Sequence, residues 1–243
     1  MSHHAPTLDT LLEAVLEHPD DNAPRLAYAD ALGDDPRAEY IRIMITAVSV
    51  ERGARLPELV KAHAQEWRAP ITPFVEVAGF QRGFVEYIRT DAARFLAHAD
   101  TLFRRAPIRD VDLTAVKPRA VEVFASPWLA RLRSLDLSGN DLEDAEVEVL
   151  ARSPHLAGLR WLDLSRNRIG MAGLEALAAS ANLTSLGWLG FARNTAPDPA
   201  PEAYTDHGVV CHVHVPDLNK QLIARYGEKL WLSRWNQPQR SER

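Results

Sequence analysis

Apolar residues recur through the middle of the chain at a fixed spacing. Leu132-x-x-Leu135-x-Leu137-x-x-Asn140 is followed by Leu159-x-x-Leu162-x-Leu164-x-x-Asn167 and by Leu186-x-x-Leu189-x-Phe191-x-x-Asn194, each start 27 residues after the one before. A weaker copy, Ile108-x-x-Val111-x-Leu113, begins 24 residues upstream of Leu132. A constant period in the twenties marks a repeat array. Within each unit the alternation of Leu135 and Leu137 predicts a short strand with one buried face. Helices are predicted over about 144–151 and 172–179, with Ala145, Val149 and Leu150 inward in the first and Leu174, Leu177 and Ala178 in the second. One strand and one helix cannot bury their own apolar faces, so each unit needs its neighbours. Asn140, Asn167 and Asn194 fall where the chain leaves the strand, where an amide can satisfy backbone groups that the turn would otherwise bury unpaired.

The positions between the inward leucines point the other way and align in columns. One column is Asp110, Ser134, Trp161 and Trp188; the next is Asp112, Asp136, Asp163 and Gly190; a third is Thr114, Ser138, Ser165 and Ala192. Two tryptophans one repeat apart should be neighbours on that face, and tryptophan is enriched where binding energy concentrates. The aspartates make an acidic stripe able to receive Lys or Arg from a partner. Against this stand two plainer readings. The C-terminal segment could fold over the tryptophans, and Leu-Asp-Leu-Ser is a common wording of such a unit. This pattern resembles the leucine-rich repeat, and its period with a full helix resembles the ribonuclease-inhibitor-like class. The resemblance implies an α/β solenoid, parallel strands concave and helices convex, that binds protein through its concave face. Trp161, Trp188, Asp112, Asp136, Asp163 and Ser134 are the expected partner-binding residues.

Ahead of the repeats, residues 7–69 read as a helical bundle. Thr7 or Asp9 caps a helix to about Glu17, with Leu8, Leu11, Leu12, Val15 and Leu16 on its apolar face. Asn22 caps a second helix that Gly33 closes. Asp35-Pro36 opens a third, ending near Gly53, and Pro57 opens a fourth through Trp67. The run His18-Pro19-Asp20-Asp21-Asn22-Ala23-Pro24-Arg25-Leu26-Ala27-Tyr28-Ala29-Asp30-Ala31-Leu32, with Gly33-Asp34-Asp35-Pro36-Arg37-Ala38-Glu39-Tyr40-Ile41 after it, resembles the bacterial repeat-companion domain of myxobacteria and planctomycetes. That family precedes leucine-rich or other repeats and has no assigned catalytic residues. Ala31 departs from it, since the family usually has Trp there. Arg25, Tyr28 and Asp30 read as a charge-assisted network tying helices together.

Gly79, Gly83 and Phe84 to Arg89 predict a turn and a strand, and Asp91 to Arg105 a helix, together a degenerate first repeat. After Asn194 a proline-rich loop leads to a strand over 208–215, a helix from Leu218 to Tyr226 closed by Gly227, a last strand at Lys229 to Leu232, and a polar tail from Asn236. The expected division is therefore 1–69 helical companion domain, 70–107 capping repeat, 108–194 leucine-rich repeats, and 195–243 C-terminal cap and tail.

Composition narrows the function. The chain has 243 residues, 46% hydrophobic and 25% charged, with net charge −5. That balance argues against a nucleic-acid backbone as partner. Residues 1–40 hold two basic and nine acidic residues, net −7, and residues 41–107 ten basic and seven acidic, net +3. The single Cys211 excludes an intrachain disulfide and fits a reducing compartment. No run reaches membrane-spanning length and the N-terminus lacks a signal-peptide core, so the expected location is cytoplasmic. His207, Cys211, His212 and His214 have the ligand types of a zinc or copper site. On a strand, however, Cys211 faces away from the two later histidines. No phosphate-binding glycine loop, Gly-x-Ser-x-Gly or His-Glu-x-x-His motif occurs. The sequence thus favours a non-catalytic protein- or peptide-binding scaffold without cofactors. The alternatives are an accessory subunit presenting a peptide to a separate enzyme, and a metal-dependent enzyme using His207, His212 and His214.

Overall fold

The computed structural model describes the backbone of residues 6–46, 50–199, 202–206, 209–214 and 216–233, and side chains over 6–46, 54–199 and 216–232. The protein is mixed α/β and divides into two compact units, Met1–Arg89 with His98–Arg109, and Thr90–Ala97 with Asp110–Arg243.

In the first unit, helices α1 (Leu8–Glu17), α2 (Ala23–Leu32), α3 (Pro36–Thr46) and α4 (Val50–Arg68) pack in sequence order. Thr7 caps α1 through a bond from Thr10 N to its Oγ1 at 3.3 Å. At α2 the expected cap Asn22 makes no capping bond; Asp21 supplies it instead, accepting from Ala23 N at 2.9 Å. Asn22 Oδ1 is taken by Arg82, 3.2 Å away. The third and fourth helices also break elsewhere than expected. The third ends at Thr46, and α4 runs from Val50 straight through Pro57. A hairpin follows, β1 (Val77–Gln81) and β2 (Phe84–Asp91), of which the sequence announced only the second strand. Arg82 and Gly83, at φ 43° and 91°, form its two-residue turn. Val15, Tyr28, Ala29, Ala38, Ile41 and Phe84 make one core cluster, and Tyr40, Ile43, Leu59 and Trp67 another. Helix α5 (Ala92–Arg105) opens with Asp91 Oδ1 accepting from Arg94 N at 2.9 Å.

In the second unit four parallel strands stand side by side: β3 (Asp110–Thr114), β4 (Ser134–Asp136), β5 (Trp161–Asp163) and β6 (Trp188–Gly190). Helices α6 (Ala120–Phe124), α7 (Asp144–Arg152) and α8 (Met171–Ala179) follow the first three strands, and α6 packs on α7 and α7 on α8. Leu132, Leu135, Leu137, Leu159, Leu162, Leu164, Leu186, Leu189 and Phe191 are all buried, as the template requires. Leu174, Leu177 and Ala178 are buried as expected. In α7 the inward residues are Val147, Leu150 and Ala151, while Ala145 is exposed and Val149 half-buried. Ala145, Val147 and Val149 alternate with acidic residues along α7, so the sequence alone leaves open which of them face inward.

The asparagines tie repeat to repeat. Asn167 Oδ1 accepts from Asn140 N at 2.9 Å and Leu142 N at 3.0 Å, and its Nδ2 donates to Leu137 O at 3.0 Å. Asn140 Oδ1 accepts from Val116 N at 2.9 Å while its Nδ2 donates to Leu113 O at 2.8 Å. Asn194 repeats the pattern with Ile169 N at 3.1 Å and Leu164 O at 2.9 Å. A second ladder went unread in the sequence. Ser153 Oγ donates to Phe124 O and Ser180 Oγ to Ala151 O, each at 2.6 Å.

Beyond β6 lie β7 (Glu202–Asp206) and β8 (Val209–His214), an antiparallel pair, then α9 (Asp217–Tyr226) and α10 (Leu230–Ser233). Helix α10 stands where a final strand was expected. Its Trp231 and Leu232 are buried. Buried Asn219 holds it by donating to Leu232 O and Pro199 O, both at 2.9 Å. Of the expected metal ligands, His207 and the side chains of Cys211, His212 and His214 lie outside the described residues, as does the tail from Asn236. Among the described residues no helix is long and apolar enough to cross a membrane.

Candidate functional site

The strand register brings the outward positions into the columns expected from equal repeat lengths. Asp110 pairs with Ser134, Ser134 with Trp161, and Trp161 with Trp188. Asp112, Asp136, Asp163 and Gly190 form the next column. Trp161 and Trp188 meet with ring centroids 5.4 Å apart and planes inclined by 32°, a tilted contact within the favourable range for aromatic pairs. Both indoles are half-buried.

Gly190 explains the pose of Trp188. A Cβ at this position would lie 2.6 Å from Trp188 Cη2 and 2.5 Å from Asp163 Oδ1. The indole therefore folds down along its own strand over a residue that has no side chain, with the Asp163 carboxylate at its margin. Where the two preceding repeats carry Asp, the third carries the glycine that admits the ring.

The acidic stripe is less available than the sequence suggested. Asp136 is buried, at 8% exposure, and its Oδ1 accepts from Ser138 N at 3.0 Å. Asp163 Oδ1 accepts from Ser165 N at 2.9 Å. Both carboxylates thus close the turn that leaves their own strand, in the manner of an Asx turn. Asp110 forms an ion pair with Arg133 at 2.9 Å. Asp112 and Ser134 are half-buried. The stripe is present, but at least two of its acids have backbone duties.

The turns carry a feature that the columns did not disclose. The residue before each ladder asparagine is left-handed: Gly139 at φ 69°, Arg166 at 57° and Arg193 at 61°, with Ala115 at 53° in the first unit. Arg166 and Arg193 are exposed. Arg166 N donates to Ala192 O at 2.8 Å, so the two arginine-bearing turns lie side by side. Their 27-residue spacing is present in the sequence, but the strand-face columns do not include the turn positions.

The N-terminal motif is built into the interior of its own unit. Arg25 and Glu86 are wholly buried and paired at 3.1 Å. Arg25 also donates to Pro19 O at 2.7 Å, and Arg82 joins Glu86 at 2.9 Å. Burial lowers the Arg25 guanidinium to about 10, against the opposing pull of Glu86. Tyr28 meets Phe84 edge-on at 5.3 Å. Asp30 pairs with Arg42 at 3.2 Å, and Arg42 also donates to Ala29 O at the end of α2. The expected network of Arg25, Tyr28 and Asp30 is therefore two networks. One joins α2 to the hairpin and the other joins α2 to α3. Among the described residues no group of three or more His, Cys, Asp or Glu side chains is placed to hold a metal ion.

A family model described as a leucine-rich repeat matches two segments, residues 131–151 and 159–178. These are the units built on β4 with α7 and on β5 with α8. The match supports a leucine-rich-repeat protein, and such repeats are generally protein-interaction motifs. A search of curated proteins finds no match to the chain.

Proposed function

We propose that the chain is a non-catalytic, cytoplasmic scaffold that binds a protein or peptide on the sheet face carrying Trp161 and Trp188. In this reading the repeats of residues 108–194 stack as a solenoid with that face concave. Residues 1–69 act as a helical companion domain, 70–107 as a capping repeat and 195–243 as a C-terminal cap. The observation that carries it is the tryptophan pair, half-exposed and in ring contact on adjacent strands. An apolar centre with charged neighbours is the common form of a binding hot spot. The leucine-rich-repeat match supports the same reading.

The test is affinity capture from an extract of the source organism, comparing the full chain with its Trp161→Ala/Trp188→Ala variant. Loss of the pair should weaken the captured interaction by about 2 kcal/mol or more. Each single change should lower stability by about 1 kcal/mol, as for half-buried positions outside a core. A partner held equally well by the double variant would place the binding surface elsewhere.

A further inference from the structure

We infer that the occupant of the tryptophan face is an acidic peptide segment. It sets an aromatic or large apolar side chain against Trp161 and Trp188, and carboxylates against Arg166 and Arg193. This rests on the reading of that face as a binding surface and reverses the charge expected from the aspartate stripe.

The acids and the cations of this region differ in how they are engaged. Asp136 and Asp163 accept backbone N–H groups of their own turns, and Asp110 is paired with Arg133. Arg166 and Arg193 are exposed and make no ion pair or side-chain hydrogen bond among the described residues. Arg168, two residues along, is paired with Asp141 at 3.2 Å, so it adds little free charge. With Arg168 set aside, the stretch 158–170 still holds Arg160 and Arg166 against the single Asp163. Positive charge is thus concentrated on the two repeats that also carry the tryptophans.

The turn requires the left-handed backbone but not the arginine. Gly139 and Ala115 adopt the same conformation in the other two units. Glycine enters it without strain, whereas other residues meet a steric penalty. Two guanidinium side chains therefore stand at consecutive positions that favour glycine. Adjacent parallel strands lie about 4.8 Å apart, and the bond from Arg166 N to Ala192 O keeps the turns at that separation. A pair of carboxylates, or one carboxylate bridging two guanidinium groups, matches this spacing. Trp161 and Arg166 are five residues apart, as are Trp188 and Arg193, so they are separated by at most about 17 Å of extended chain. The ligand's acids should accordingly lie within about five residues of its aromatic anchor.

Arginine with stacked tryptophan would also suit a single-stranded nucleic acid. The Asp163 carboxylate at the edge of the Trp188 indole argues against it. A continuous phosphate backbone would have to pass that charge, whereas a peptide can place an apolar residue there and its acids further on.

The experiment is selection from a random decapeptide library displayed on phage, using the full chain, Arg166→Gln/Arg193→Gln and Trp161→Ala/Trp188→Ala. The expected result is enrichment of peptides with an aromatic residue and at least two nearby Asp or Glu. A synthetic peptide of the enriched sequence should bind the arginine variant at least tenfold more weakly, and the native chain more weakly as salt rises. Enrichment of basic or neutral peptides that still depend on the tryptophans would overturn the acidic class and leave the binding face standing. Enrichment indifferent to the tryptophans, or none at all, would overturn both. Tighter binding of a ten-nucleotide single-stranded DNA than of any selected peptide would also overturn the inference.

Discussion

Asn167 satisfies more of the backbone than any other side chain described in the repeats. Its amide accepts two N–H groups from the preceding turn and donates to three carbonyls, Leu137 O, Leu164 O and, more weakly, Ser165 O. Asn140 and Leu142, whose N–H groups it accepts, are buried, so truncation would strand both. A buried donor left without a partner costs about 1–3 kcal/mol. Asn167→Ala should therefore lower stability by about 3 kcal/mol or more in denaturant unfolding. Asn194 is half-buried and accepts one N–H, that of Ile169; Asn194→Ala should cost about half as much on the same scale. Equal losses would mean that the ladder is not what the amides contribute. The asparagine role was legible in the sequence because amides stand alone at a fixed distance from the leucines. The serine ladder was not. Ser153 and Ser180 are also 27 residues apart, but serine is common in loops, and only the carbonyls of Phe124 and Ala151 reveal what each hydroxyl reaches.

The hairpin of β1 and β2 depends on the turn at Arg82 and Gly83. Arg82 sends its guanidinium to Glu86 and Pro19 O, and Gly83 O accepts from Arg37 Nε at 2.8 Å. Gly83 meets two demands at once. Its φ of 91° is one that side chains resist, and a Cβ there would overlap Ile41 Cγ1, whose residue is fully buried on α3. Gly33, at φ 66° beyond α2, has the backbone demand alone, since a Cβ there would meet nothing within 4 Å. Gly33→Ala should thus cost about 1 kcal/mol and Gly83→Ala about 3 kcal/mol or more, the difference being steric. Similar denaturant midpoints for the two variants would show that Ile41 moves aside without penalty. Sequence patterns found this strand by its apolar run but missed β1, where Gly79 and Gln81 dilute the alternation. They also misjudged α10, since Leu-Trp-Leu suits a strand or a helix equally over so short a stretch. Buried Asn219, which accepts neither reading on its own, ties the segment down as a helix through Leu232 O.

At the scale of the whole molecule, an array of repeats must end somewhere, and each end leaves an apolar face without a neighbour. The repeat count was legible because the period is regular. The way the array ends was legible only in part: the strand near 208–215 and the helix closed by Gly227 were readable, but β7 and the helical form of α10 were not, because end segments obey no template. In the second unit α9 packs on α8 and α10 on β6. Arg225 reaches Glu175 at 2.8 Å, an exposed pair that adds little. The burial of Leu222, Trp231 and Leu232 contributes far more. Each such side chain is worth about 1.5–3 kcal/mol when removed from water, so the three supply roughly 5–9 kcal/mol, an upper estimate because unfolded chains are already partly collapsed. That is comparable with the entire margin of a typical domain, about 5–15 kcal/mol. A fragment of residues 1–215 should therefore lose its cooperative transition or aggregate on purification, exposing the β6 side of Leu189 and Phe191. The triple substitution Leu222→Ala, Trp231→Ala, Leu232→Ala in the full chain should reproduce the loss, while Arg225→Ala should leave the midpoint nearly unchanged. A stable, monomeric 1–215 fragment would show that the last repeat closes the array by itself, and that α9 and α10 are appendages of the fold, not its cap.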